Sequence, residues 1–137
     1  MIPNRVLAVL FALGSWTVLG IALWLRPDPR GFGTHESLGL PPCGFLVANG
    51  YPCMTCGMTT SFSNMAHLQP VAAFNANPMG IVLYLLTAAI ALFMTRCAWS
   101  NADPLSPLRN RKAPYYIIVG SVLLLVNWGW LISKSTG

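Results

Sequence analysis

Three stretches of the chain run without a charged side chain for about the length of a bilayer crossing. Val6 to Leu25 is 20 residues long, Met79 to Thr95 is 17, and Tyr115 to Ser133 is 19. A helix needs roughly 20 apolar residues to cross the hydrocarbon core, with about 17 to 25 tolerated. Helices of a soluble bundle keep a polar outer face, and these runs show almost none. The pattern therefore predicts an all-α integral membrane protein of one domain. Its three transmembrane helices are expected at about residues 6–25, 78–97 and 115–133. The first run exceeds the roughly 7 to 15 apolar residues of a signal peptide, and no small-x-small cleavage site follows it. Trp24 and Arg26 suit interfacial anchors, so this run reads as an uncleaved signal-anchor helix.

Between the first two spans lies a long segment, residues 26–77. Loops of that length in a small protein are functional or disordered. Arg26 to Pro42 is rich in Pro and Gly and reads as irregular. Pro41-Pro42-Cys43 and Asn49-Gly50-Tyr51-Pro52 are turn signals that bracket a short apolar piece, Phe45 to Ala48. After Cys56-Gly57, a short helix follows from Met58, Phe62, Met65 and Ala66, which recur at i, i+4, i+7 and i+8 and form one apolar face. Pro70 fits the first position of a second short helix through Val71 to Asn75. Asn77-Pro78 fits the N-cap and first residue of the second span. Both short helices are amphipathic and are expected to lie on the membrane surface or dip into it.

Composition sharpens this picture. Hydrophobic residues are 55% of the 137 and charged residues 8%, against about 25% charged in soluble domains. The net charge of +5 comes from basic residues at span ends, so it implies no nucleic-acid partner. Arg96, Arg109, Arg111 and Lys112 bracket the 96–114 loop, and the positive-inside rule puts that loop in the cytoplasm together with Arg5. Arg26, Arg30 and Lys134 then fall outside, a bias of five against three. The expected setting is a bacterial inner membrane, N-terminus in, cysteine loop and C-terminus out. The three runs hold no ionisable acid, base or histidine, which argues against an ion-coupled transporter. Asn127 and Thr87 are their few polar groups and are expected to bond between helices.

The chemistry sits in the outer loop. Cys53-Met54-Thr55-Cys56 is a Cys-x-x-Cys pair, Cys43 lies ten residues upstream, and His67 lies eleven residues downstream. Cys97, at the far end of the second span, is read as a packing residue.

Cys43-Gly44-Phe45, then Asn49-Gly50-Tyr51-Pro52-Cys53-Met54-Thr55-Cys56-Gly57-Met58-Thr59, then Asn77-Pro78 resembles the signature of a bacterial membrane family catalogued as domain of unknown function 2752. That pattern runs Cys, a short apolar stretch, Gly-x-Pro-Cys-Pro-x-Cys-Gly-Leu/Met-Thr-Arg, a short helix, and Asn-Pro before a span. The likeness covers about residues 41–80. Met54 replaces the usual Pro and Thr60 the usual Arg. The resemblance implies a small multi-span bacterial membrane protein and carries no reaction with it.

The residues leave several readings of the cysteines open. An oxidising compartment favours a disulfide, Cys43 with Cys53 or Cys56, leaving one thiol over. A Cys-x-x-Cys pair at a helix N-terminus suits a thiol–disulfide oxidoreductase, the dipole lowering the pKa of Cys56. Membrane oxidoreductases of the vitamin K epoxide reductase type have four core helices and a second cysteine pair; three spans are predicted here. Cys43, Cys53, Cys56 and His67 also form a Cys3His set suited to zinc. Haem attachment is excluded, because Gly57 and not His follows Cys56. A role without cysteine chemistry, as an accessory subunit packed in a larger membrane complex, fits the Trp-flanked spans. The sequence thus reads as a binding or accessory component in the lipid bilayer with a disulfide-stabilised outer loop. The alternatives are a membrane thiol–disulfide oxidoreductase and a Cys3His metal protein.

Overall fold

The computed structural model describes residues 4–100, 102–106 and 113–136. Arg109, Arg111 and Lys112, on which the charge bias draws, lie outside the described residues. Three long helices carry the apolar runs: α1 (Asn4–Trp24), α5 (Pro78–Ser100) and α6 (Ala113–Thr136). All three are long and apolar enough to cross a membrane. Between α1 and α5 come a 3-10 turn (Thr34–Leu38), α2 (Gly44–Asn49), α3 (Met58–Ala66) and α4 (Pro70–Ala76). Among the described residues there is no strand.

α1 and α5 run antiparallel and make the most extensive contact in the protein. Small residues set that contact. Ala8, Ala12 and Ala22 of α1 and Ala91 of α5 are buried. Lipid is as apolar as Leu, so spans associate through close backbone approach rather than by hiding large side chains. Trp16 Nε1 adds a polar tie by donating to Thr95 Oγ1 at 3.1 Å. α6 stands apart over its first half, where Tyr115 to Ile118 are exposed. It joins the others toward its C-terminal end. Asn127 Oδ1 accepts from the Met79 N–H at 3.2 Å, the interhelical bond expected of it. Thr87 instead donates within its own helix, to the Leu83 carbonyl at 2.7 Å.

The connecting segment caps one end of this bundle. Its first part is not wholly irregular, because Thr34 to Leu38 close a 3-10 turn between Gly33 and Gly39. The larger departure concerns α3. Its expected apolar face, Met58, Phe62, Met65 and Ala66, is only half-buried, whereas Thr60, Ser61, Ser63 and Asn64 are fully buried. The reason is that these polar side chains find their partners inside the protein. A helix leaves its last four carbonyls without intrahelical partners, and in a membrane protein such groups need partners from the protein itself. Ser63 Oγ donates to the Leu25 carbonyl just past the end of α1. Ser61 Oγ donates to the Asn77 carbonyl at 2.9 Å, and Thr60 bonds Thr34 through their hydroxyls at 2.7 Å. The hydroxyl face of α3 therefore turns inward. Close approach also needs Gly80, where a Cβ would fall 2.5 Å from Ser61 Cβ. Phe62 packs edge-on to Tyr84 at 5.6 Å, tying the remaining face to α5.

Candidate functional site

Cys43, Cys53 and Cys56 reach one point from two turns. Cys43 immediately precedes α2 and its carbonyl accepts from the Val47 N–H at 3.0 Å. Cys53 to Cys56 form a tight turn, closed by the Cys56 N–H on the Cys53 carbonyl at 3.0 Å. Gly57 follows with φ 76° and opens α3. A Cβ there would lie 2.7 Å from both the Gly31 and Ala76 carbonyl oxygens, so only glycine fits this left-handed, crowded position.

Two ties from the long helices hold the turn. Trp128 Nε1 of α6 donates to the Pro52 carbonyl at 3.1 Å. Asn77 donates through Nδ2 to the Cys56 carbonyl at 3.0 Å, while its Oδ1 caps α5 by accepting from Met79 at 3.0 Å and Gly80 at 3.3 Å. Asn77 is fully buried. The sequence marked it as an N-cap; its second role as the clamp on Cys56 was not visible there, because the partner lies 21 residues away.

The ligand atoms of the three cysteines all lie within 4.8 Å of one another. Cys43 Sγ and Cys53 Sγ are 3.5 Å apart, well beyond the roughly 2.05 Å of a disulfide bond, and Cys53 Sγ lies 3.4 Å from Thr55 Oγ1. The thiols face unlike surroundings. The Leu46 backbone N–H, and after it Cys53 and the Phe45 N–H, hold the Cys43 thiol below its ordinary range against the opposing effect of burial. Burial, then the neighbouring Cys53 and Cys43 charges, push Cys56 up to about 11. That reverses the expectation that Cys56 is the activated thiol. Its place beside the α3 N-terminus does not offset removal from water, because a thiolate is disfavoured wherever it is desolvated.

His67 does not join the group. It ends α3, roughly 13 Å along the axis from the helix start at 1.5 Å per residue. It is exposed, with Nδ1 bonded to the Ser63 carbonyl at 2.8 Å. Cys97 is buried, 3% exposed, near the opposite end of α5. The residue that sequence reading passed over is His35. It is half-buried on the 3-10 turn and lines a cavity of about 390 Å3 together with Cys43, Cys53, Cys56 and Thr55. Its only signal in the sequence was its position within the same loop.

A second cavity, of about 210 Å3, lies on the other side of Cys56, lined by Phe32, Pro52, Leu131 and Lys134. Lys134 reaches the Asn75 carbonyl and lies over the Trp130 ring, which places the C-terminal end of α6 at the cysteine end of the bundle. At the opposite end, Arg5 and Trp99 share one recess. Among the described basic residues, Arg5 and Lys134 thus lie at opposite ends of the bundle.

No curated protein and no solved structure matches the chain. Residues 43–91, from the first cysteine of the cluster to the middle of α5, match the model of the family described as Protein of unknown function (DUF2752), the family that the cysteine loop resembles.

Proposed function

We propose that the protein is a membrane-anchored binding protein for a soft or borderline metal ion, held by the thiolates of Cys43, Cys53 and Cys56 on the outer side of a bacterial inner membrane. The observation that carries this reading is the convergence of three sulfurs within 4.8 Å. A tetrahedral zinc with bonds of about 2.3 Å holds its sulfurs about 3.8 Å apart; Cys43 and Cys53 stand 3.5 Å apart and all three sulfurs lie within 4.8 Å. A disulfide uses two sulfurs, whereas a metal uses all three. Thiolates select zinc or Cu(I) over harder ions.

One contact favours a second reading. At 3.5 Å, Cys43 and Cys53 are placed for thiol–disulfide exchange. The Cys43 thiolate would attack a partner protein's disulfide and release one partner thiolate. Cys53 would then displace the second, leaving a Cys43–Cys53 disulfide and a reduced partner.

Metal analysis and thiol counting on one purified sample separate the two. The metal reading expects about one zinc or copper per chain, and three outer thiols that react only after chelation. A chain with no metal and two thiols lost to a reducible bridge would overturn it. The orientation has its own test. An epitope inserted after Ser106 should be reached by antibody in spheroplasts only after they are lysed; staining of intact spheroplasts would put the cysteines in a reducing compartment.

A further inference from the structure

We infer that His35, not His67, supplies the fourth ligand of the cysteine site, an inference that rests on the metal reading above. Three thiolates leave one corner of a tetrahedron open, and all three cysteines line one cavity. Besides the cysteines, its walls offer threonine hydroxyls, the Met58 thioether and the His35 imidazole. Of these, imidazole is the donor that suits zinc.

The backbone around His35 is fixed from several directions. Thr34 is buried, bonded through Oγ1 to Thr60 at 2.7 Å and accepting from the Asp28 N–H at 3.0 Å. Glu36 pairs with Arg30 at 3.0 Å, and Arg30 pairs with Asp28 at 2.7 Å. Ser37 Oγ donates to the Thr34 carbonyl at 2.6 Å. Thr60 lies in the first turn of α3, four residues after Cys56, so the Thr34–Thr60 bond joins the turn that carries His35 to the helix that follows the Cys-x-x-Cys turn. The His35 imidazole is not among the ligand atoms that already lie together, so ligation requires its ring to turn about χ1 and χ2 toward the sulfurs across the shared cavity. A neutral imidazole also keeps a zinc site at a net charge of −1, where a fourth thiolate would make it −2.

The test titrates cobalt(II), then zinc, into the purified full chain in detergent after chelation. His35→Ala is expected to weaken zinc binding at least about tenfold and to shift the cobalt d–d bands. The sulfur-to-cobalt charge-transfer band should keep its three-thiolate intensity, and His67→Ala should match the wild type. His35→Cys guards against a misfolded alanine variant: a sulfur at the fourth corner should raise the charge-transfer band by about a third and move the d–d bands to the red. Wild-type affinity and spectra in His35→Ala, with binding lost in Cys53→Ser, would reject His35 and leave the three-thiolate site standing. No cobalt or zinc bound by the wild type would reject the metal reading itself.

Discussion

Gly57→Ala is expected to destabilise the outer loop by roughly 2–5 kcal/mol and to scatter the three cysteines. Two effects combine. The left-handed backbone at φ 76° costs an L-residue about 1–2 kcal/mol. The new Cβ also meets the Gly31 and Ala76 carbonyl oxygens at 2.7 Å. Both are backbone atoms that cannot rotate aside, and overpacking of this kind costs about 1–3 kcal/mol. Gly50 supplies the control. It has a similar φ of 73°, yet a Cβ there meets nothing within 4 Å, so Gly50→Ala should show the backbone cost alone. Thermal unfolding in detergent and metal retention are the measurements. Equal effects at the two glycines would mean that the junction of Gly31, Gly57 and Ala76 is not a close-packed knot.

The second large effect is expected at Asn77. One buried side chain caps α5 and holds the Cys56 carbonyl. Asn77→Ala removes the cap, worth about 1 kcal/mol, and takes a partner from a carbonyl in a buried setting, worth about 1–3 kcal/mol. Asn77→Asp separates the two roles. A carboxylate still caps α5, and the helix N-terminus favours its charge, but it cannot donate to Cys56. The Asp variant should therefore be unstable at neutral pH. It should recover as the pH falls, because the protonated acid regains a donor and its folded form binds a proton more tightly than its unfolded form. A variant equally stable at both pH values would show that the bond to Cys56 carries no weight.

These two residues also mark where sequence and structure part. The crossings were legible because a bilayer imposes a length and a composition that a chain cannot hide. Observed α1, α5 and α6 differ from the predicted spans only by a turn or less at their ends. Pro70 and Asn77-Pro78 announced α4 and the start of α5, since a missing N–H and a capping amide are local properties. The joining of Cys43 to Cys53 and Cys56 could be suspected from their density but not demonstrated.

By itself, then, the sequence determined which segments are long and apolar enough to cross a membrane, where the short helices start, and which loop holds the sulfur. It misjudged the inward face of α3, because apolar periodicity assumes that water is the polar partner; here the partners are the Leu25 and Asn77 carbonyls and the Thr34 hydroxyl. Tertiary structure alone decided that Thr60, Ser61 and Ser63 face inward and that Cys43 rather than Cys56 has the lowered pKa. It also decided that His35 shares the cysteine cavity while His67 ends α3 away from it. Apart from the lowered Cys43 pKa, whose main cause is the Leu46 N–H three residues along the chain, each of these depends on where distant backbone lies. The Asn77 amide on Cys56 and the turn that carries His35 meet the cysteines only when α1 and α5 pack side by side and draw the two ends of residues 26–77 together.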